Sequence, residues 1–144
     1  MSNQLLGERG EKLVAKNCYC FKCKRSNTLK RLPPNFKCAD IVCDFCGYLA
    51  QVKTITASNI DTPPSSLRGA AWNVLEERLN AGIYFPLFIV LVNGGENSIF
   101  YLSSDLQKRE IFVPRTPSLI GGTRVWQGVN YDFRTVRDHF IRVL

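Results

Sequence analysis

Four of the six cysteines stand in two C-x2-C pairs, Cys20/Cys23 and Cys43/Cys46, with nineteen residues between the pairs. That spacing suits a tetrahedral four-thiolate zinc site, and such a site would cross-link residues 18–47 into one unit. Each C-x-x-C turn lets two sulfurs converge, and Gly47, just after the second pair, can take the positive φ that a knuckle needs. Four thiolates close the coordination shell, so the expected zinc is structural and not the catalytic metal. Cys18 and Cys38 are left over. Cys18 can stand in for Cys20, with a less usual spacing to Cys23; otherwise both read as small buried thiols.

The chain has 144 residues, 45% apolar and 22% charged, enough for one core, so a single domain over residues 1–144 is expected. A formal charge of +7 points to a polyanionic partner. The start, Met1 to Glu8, has neither the basic nor the apolar region of a signal peptide. The longest apolar run, Tyr84 to Val92, is too short to span a bilayer. A cytoplasmic protein with no membrane partner is expected, and in that reducing compartment the cysteines point to metal before disulfide.

The periodicity predicts an amphipathic helix over Leu5–Asn17 and a basic loop that ends at Leu32-Pro33-Pro34. Two strands, Phe36–Val42 and Tyr48–Ile55, are joined by the Cys43–Gly47 knuckle. A second helix is expected from Leu67 to Gly82. A central strand over Tyr84–Val92 turns at Asn93-Gly94-Gly95 into Ser98–Leu102. A short helix from Ser103 or Ser104 to Lys108 and an irregular stretch follow, with a closing amphipathic helix over Thr135–Val143. The order indicates an α/β or α+β domain, a mixed sheet flanked by helices.

A second constellation crosses the knuckle: Asp40 on one arm, Gln51-Val52-Lys53 on the other. Phosphodiester cleavage needs a divalent cation to hold a phosphate oxygen and activate water, and a positive group for the developing charge. Asp40, Gln51 and the Val52 carbonyl are candidate ligands of Mg²⁺ or Mn²⁺, and Lys53 supplies the charge. Gln51 and Lys53 share a face of their strand by period two. Alone, the pattern equally describes a solvated strand. Lys24, Arg25, Lys30 and Arg31 around the first cysteine pair, and Arg124 before Trp126, are candidate phosphate contacts; the first four can instead offset the charge of a zinc tetrathiolate. His139 is assigned no role.

Ala39-Asp40, two residues, C-x-x-C, then a strand carrying an acid or amide, one residue and Lys53 resembles the zinc-containing catalytic domain of DpnI-type, methyl-directed restriction endonucleases. These are a branch of the PD-(D/E)xK nucleases. The resemblance extends to the upstream C-x-x-C, the apolar strand with its turn, the Phe100-Tyr101-Leu102 strand and the basic stretch entering Trp126-x-Gly128-x-Asn130-x-Asp132. It implies a restriction-endonuclease-like fold, a zinc bracing the catalytic hairpin, Asp40 and Gln51 at a Mg²⁺ site, and Lys53 acting on the attacking water. Many such nucleases also carry a metal-binding Glu on the helix before the sheet; Glu11 is the candidate here, with Glu8 second, and both otherwise read as surface residues. Two departures stand out. Gln51 replaces the Glu of the DpnI type, and the sequence ends at Leu144 without that type's C-terminal winged-helix domain, so methylation dependence is not carried over.

The expected function is a metal-dependent DNA endonuclease in restriction or DNA processing, for which double-strand cleavage by so small a chain suggests a homodimer or paired nicks. The alternative is a catalytically silent zinc-containing DNA-binding protein on the same scaffold. A third reading is an RNA-binding or protein-interaction zinc module.

Overall fold

A computed structural model of the chain describes residues 2–36, 38–69, 71–120 and 123–144; the side chains of 118–126 lie outside that description. The residues cluster into two compact units, one of Met1–Pro63, Phe85–Ser104 and Phe140–Leu144, the other of Pro64–Tyr84 and Asp105–His139. Among the described residues no helix is long and apolar enough to cross a membrane.

The first unit is a six-stranded mixed sheet with helix α1 (Asn3–Asn17) laid on it. Strands β1 (Leu29–Arg31), β2 (Ile41–Cys43) and β3 (Leu49–Thr56) form an antiparallel meander. Strand β5 (Leu87–Asn93) runs parallel to β3, and β6 (Glu96–Leu102) returns antiparallel through a turn in which Gly94 takes φ 59°. Residues 87–92 are buried without a break, as a central strand covered on both faces must be. One face of the sheet, with Ile41, Ala50, Val52, Phe88, Val90 and Tyr101, packs under Val14 of α1.

Good helix formers build α1, and the Ser2 hydroxyl caps it by accepting from the Leu5 amide at 3.2 Å. Gly7 and Gly10 are the exceptions within it, and Thr54 explains the second. A Cβ at position 10 would lie 1.7 Å from the Thr54 Oγ1. Gly10→Ala should therefore lose on the order of 1 kcal/mol, overpacking of about 1–3 kcal/mol outweighing a helix-propensity gain of about 1. A urea midpoint equal to or above that of the unsubstituted protein would contradict this packing.

The second unit holds a three-stranded antiparallel sheet in the order β4 (Ser66–Gly69), β10 (Val129–Asp132), β7 (Phe112–Pro114), with helix α2 (Trp72–Asn80) and the hairpin of β8 (Ser118–Ile120) and β9 (Thr123–Trp126). Helix α2 ends in a Schellman turn: Gly82 has φ 73°, its N–H reaches the Leu79 carbonyl, and the Ile83 N–H reaches that of Arg78.

Several expected elements differ. The closing helix over Thr135–Val143 is instead a 3-10 turn, Arg137–His139, followed by strand β11 (Ile141–Arg142), paired with Tyr101 and Phe100. A nine-residue helix is marginal by itself, whereas the open edge of β6 offers ladder hydrogen bonds, and Ile141 is left 53% exposed. Leu67 begins no helix; it pairs with Tyr131 in β4, and α2 starts only at Trp72. The strand expected at Phe36–Val42 is confined to Ile41–Cys43. The short helix after Ser103 is a 3-10 turn, Ser104–Leu106.

Candidate functional site

Two knuckles bring the four cysteines together. After each pair the chain turns through a left-handed residue whose N–H returns to the carbonyl of the first cysteine: Lys24 (φ 66°) to Cys20 at 2.8 Å, and Gly47 (φ 79°) to Cys43 at 2.9 Å. Gly47 is the glycine expected there. Lys24 holds the same conformation with a side chain, at a cost of about 1–2 kcal/mol.

The four Sγ atoms of Cys20, Cys23, Cys43 and Cys46 lie within 4.8 Å of one another. Cys20 to Cys46 is 3.6 Å and Cys23 to Cys43 is 3.7 Å. Zn–S bonds of about 2.3 Å in a regular tetrahedron put sulfurs about 3.8 Å apart, and a disulfide needs about 2.05 Å. The cluster fits a zinc ion. Cys20, not Cys18, belongs to it. Cys18 is 3% exposed, and burial pushes its thiol up to about 12, as suits an inert core residue.

The four thiols are unequal. Burial opposes ionisation of Cys43, but the Thr28 hydroxyl 3.3 Å from its sulfur and the amides of Cys46 and Phe45 outweigh burial and bring it down to about 6. Burial pushes Cys20 up to about 12. A cation at the centre lets all four ionise together. No sequence pattern marks Thr28; only pairing of β1 with β2, Leu29 opposite Cys43, brings it there.

Asp40 stands one residue before β2, where the ladder to β3 changes hands. Its N–H bonds to the Ala50 carbonyl at 3.0 Å, and its carboxylate Oδ2 accepts the Val52 N–H at 2.8 Å. Asp40 also lines a cleft of about 230 Å³ with Glu8 and Glu11 of α1, Arg31 of β1 and the Pro33-Pro34 bend. The Arg31 Nε donates to Glu11 Oε1 at 3.3 Å, with their side chains 31% and 22% exposed.

Glu11 is thus held among charges. Burial first, then the negative charge of Asp40, raises its pKa above the ordinary 4.5, against the opposing pull of Arg31. The folded state therefore holds this proton more tightly than the unfolded chain, and this contribution to stability falls as pH rises through the Glu11 titration above pH 4.5. Glu11→Gln should flatten that decline and match or exceed the original stability at neutral pH, tested by urea unfolding across a pH series. An unchanged slope would remove Glu11 as its source.

Gln51 and Lys53 alternate with buried Ala50 and Val52, and so occupy the other face of β3, in register with Leu87 and Ile89. The Gln51 amide donates to the Cys38 carbonyl at 3.3 Å. An ionised glutamate there would set two oxygens against each other, which gives the Gln a local reason. The acidic cleft thus gathers Asp40, Glu8 and Glu11 near the start of β2; Gln51 and Lys53 do not line it and stand on the other face of β3.

Four of the basic residues near the knuckles have aromatic or charged neighbours. Lys24 lies over the rings of Phe21 and Tyr19 at 5.4 and 5.9 Å, Arg25 over Phe45 at 3.6 Å, and Lys30 is 3.9 Å from Asp44. Arg31 faces Glu11. The backbone of Arg124 pairs with Leu119, and its side chain lies outside the described residues.

No protein-family model matches this chain, and no curated protein matches it either.

Proposed function

We propose that this chain is a metal-dependent DNA endonuclease of the PD-(D/E)xK type, hydrolysing phosphodiester bonds in restriction or DNA processing on a restriction-endonuclease-like scaffold stapled by zinc. The observation that carries the reading is the paired acids of the cleft. Asp40 and Glu11 line one cleft closely enough for one to raise the pKa of the other, Asp40 at the start of a hairpin whose turn supplies two of the four clustered cysteines. Two carboxylates whose charges oppose each other suit a divalent cation.

Asp40 and Glu11 would hold Mg²⁺ or Mn²⁺ in the cleft, with the Val52 carbonyl as a further oxygen on β3. The ion would polarise a phosphate oxygen and lower the pKa of a water. Asp40 keeps its position through the Val52 amide. Lys53 would orient the attacking water and offset charge on the phosphate, and a second copy of the chain would serve the opposite strand. The silent DNA-binding alternative draws support from two contacts: Arg31 already pairs with Glu11, and Gln51 is turned to Cys38.

The test is cleavage of adenine-methylated and unmethylated plasmid with Mg²⁺ or Mn²⁺, run beside Asp40→Asn. Cutting that disappears in the variant supports the nuclease and reads methylation dependence at once. No cutting, with zinc bound, DNA retarded on a gel and no Asp40-dependent Mn²⁺ binding, favours the silent protein.

A further inference from the structure

The zinc turns carry aromatic rings as well as charge. Phe45, between the two cysteines of the second pair, is 58% exposed, and the Arg25 guanidinium carbon lies 3.6 Å from its ring centroid. The guanidinium occupies one side of the ring and leaves much of its surface to solvent. The first knuckle repeats the pattern. Tyr19, 37% exposed, stacks on Phe21 with centroids 4.7 Å apart, and the Lys24 ammonium lies over both rings.

Contact between Cys20 and Cys46 at 3.6 Å joins the two knuckles, so both aromatic–cation pairs belong to one cluster. We infer that this cluster is a stacking platform for unpaired nucleic-acid bases, with Phe45 backed by Arg25 as its principal ring. The inference rests on the nucleic-acid part of the proposed function and not on its chemistry.

Charge decides between a single strand and a duplex. Across residues 19–30 and 43–47 the ionic side chains are Lys22, Lys24, Arg25 and Lys30 against Asp44. A zinc tetrathiolate carries a further double negative charge. The surplus is therefore small, too small for phosphate contacts alone to dominate affinity as they do on duplex DNA. Stacking must contribute much of the binding, and in a duplex the base faces are already stacked on one another. A single strand presents them, and aromatic rings with neighbouring cations bind it with little regard to sequence.

The experiment uses the zinc-loaded full chain with labelled oligothymidylate and, separately, a labelled blunt-ended duplex of two fully paired strands. Phe45→Ala should weaken oligothymidylate binding about tenfold and leave duplex binding unchanged. Arg25→Lys, which keeps the charge and loses the plane, should weaken it several-fold. Phe45→Trp should retain affinity, its added indole emission falling as the oligonucleotide saturates. Absence of single-strand binding by the unsubstituted protein, equal losses on both ligands, or undiminished affinity in Phe45→Ala would overturn the platform. Should Phe45→Ala fail to hold zinc, Phe45→Trp decides, and unchanged emission at saturation would reject it. Plasmid cleavage that depends on Asp40, with no effect of Phe45 on single strands, would overturn this inference alone and leave the nuclease standing.

Discussion

Cys43→Ser will unfold the hairpin of β2 and β3 and release zinc, and chelation of the unsubstituted protein will do the same. A structural zinc contributes on the order of 10 kcal/mol to the state that holds it, comparable to the whole stability of a typical domain, about 5–15 kcal/mol. Cys43 is the most exacting ligand to replace. It is buried, opposite Leu29 in the β1–β2 ladder, with the Thr28 hydroxyl at its sulfur. Loss of the metal here removes the turn that aligns Ile41 with Ala50, so Asp40 and Val52 separate as well. The measurement is zinc stoichiometry with amide hydrogen exchange across residues 41–56. Cys18→Ser is the control, expected to keep one zinc per chain. A Cys43→Ser protein with full zinc and unchanged exchange would reject the four-thiolate site.

On the proposed nuclease reading, Asp40→Asn keeps the fold and loses cleavage, on the order of a thousandfold, as several kcal/mol of metal-assisted stabilisation disappear. The choice of Asn matters. The Asp40 carboxylate is also the acceptor for the Val52 N–H, so Asp40→Ala would strand a backbone donor at about 1–3 kcal/mol and confound chemistry with stability. Asn retains an acceptor oxygen while removing the charge. Lys53→Ala should reduce cleavage comparably, with zinc content unaltered. Cleavage rates near the original in either Asp40→Asn or Lys53→Ala, at equal thermal stability, would sink the assignment of these residues.

The cysteine spacing made the zinc cluster legible because four ligands at two short intervals admit few geometries. The β5 strand was equally legible, since an unbroken apolar run must be covered on both faces. The C-terminal segment was not. Val136, Phe140 and Ile141 have helical spacing, yet the preference that decides their structure belongs to the free edge of β6, a partner some forty residues earlier in the chain. Leu67 was drawn into β4 in the same way by Tyr131.

At the candidate site, the sequence could suggest Asp40, Glu11 and Gln51 individually. It could not reveal that Arg31, considered for phosphate, lies against Glu11, or that the Gln51 amide answers the Cys38 carbonyl. The first joins β1 to α1 and the second joins β3 to the segment before β2, contacts that only the folded chain makes. Thr28 carried no signal at all.

The bond from the Val52 amide to the Asp40 carboxylate has a spectroscopic consequence. Most strand amides donate to a peptide carbonyl, whose electron density changes little when a ligand arrives. This one donates to an ionic group that would share its charge with any bound cation. In a nitrogen-15-labelled sample the Val52 resonance would report occupancy at Asp40 directly, free of substrate or turnover.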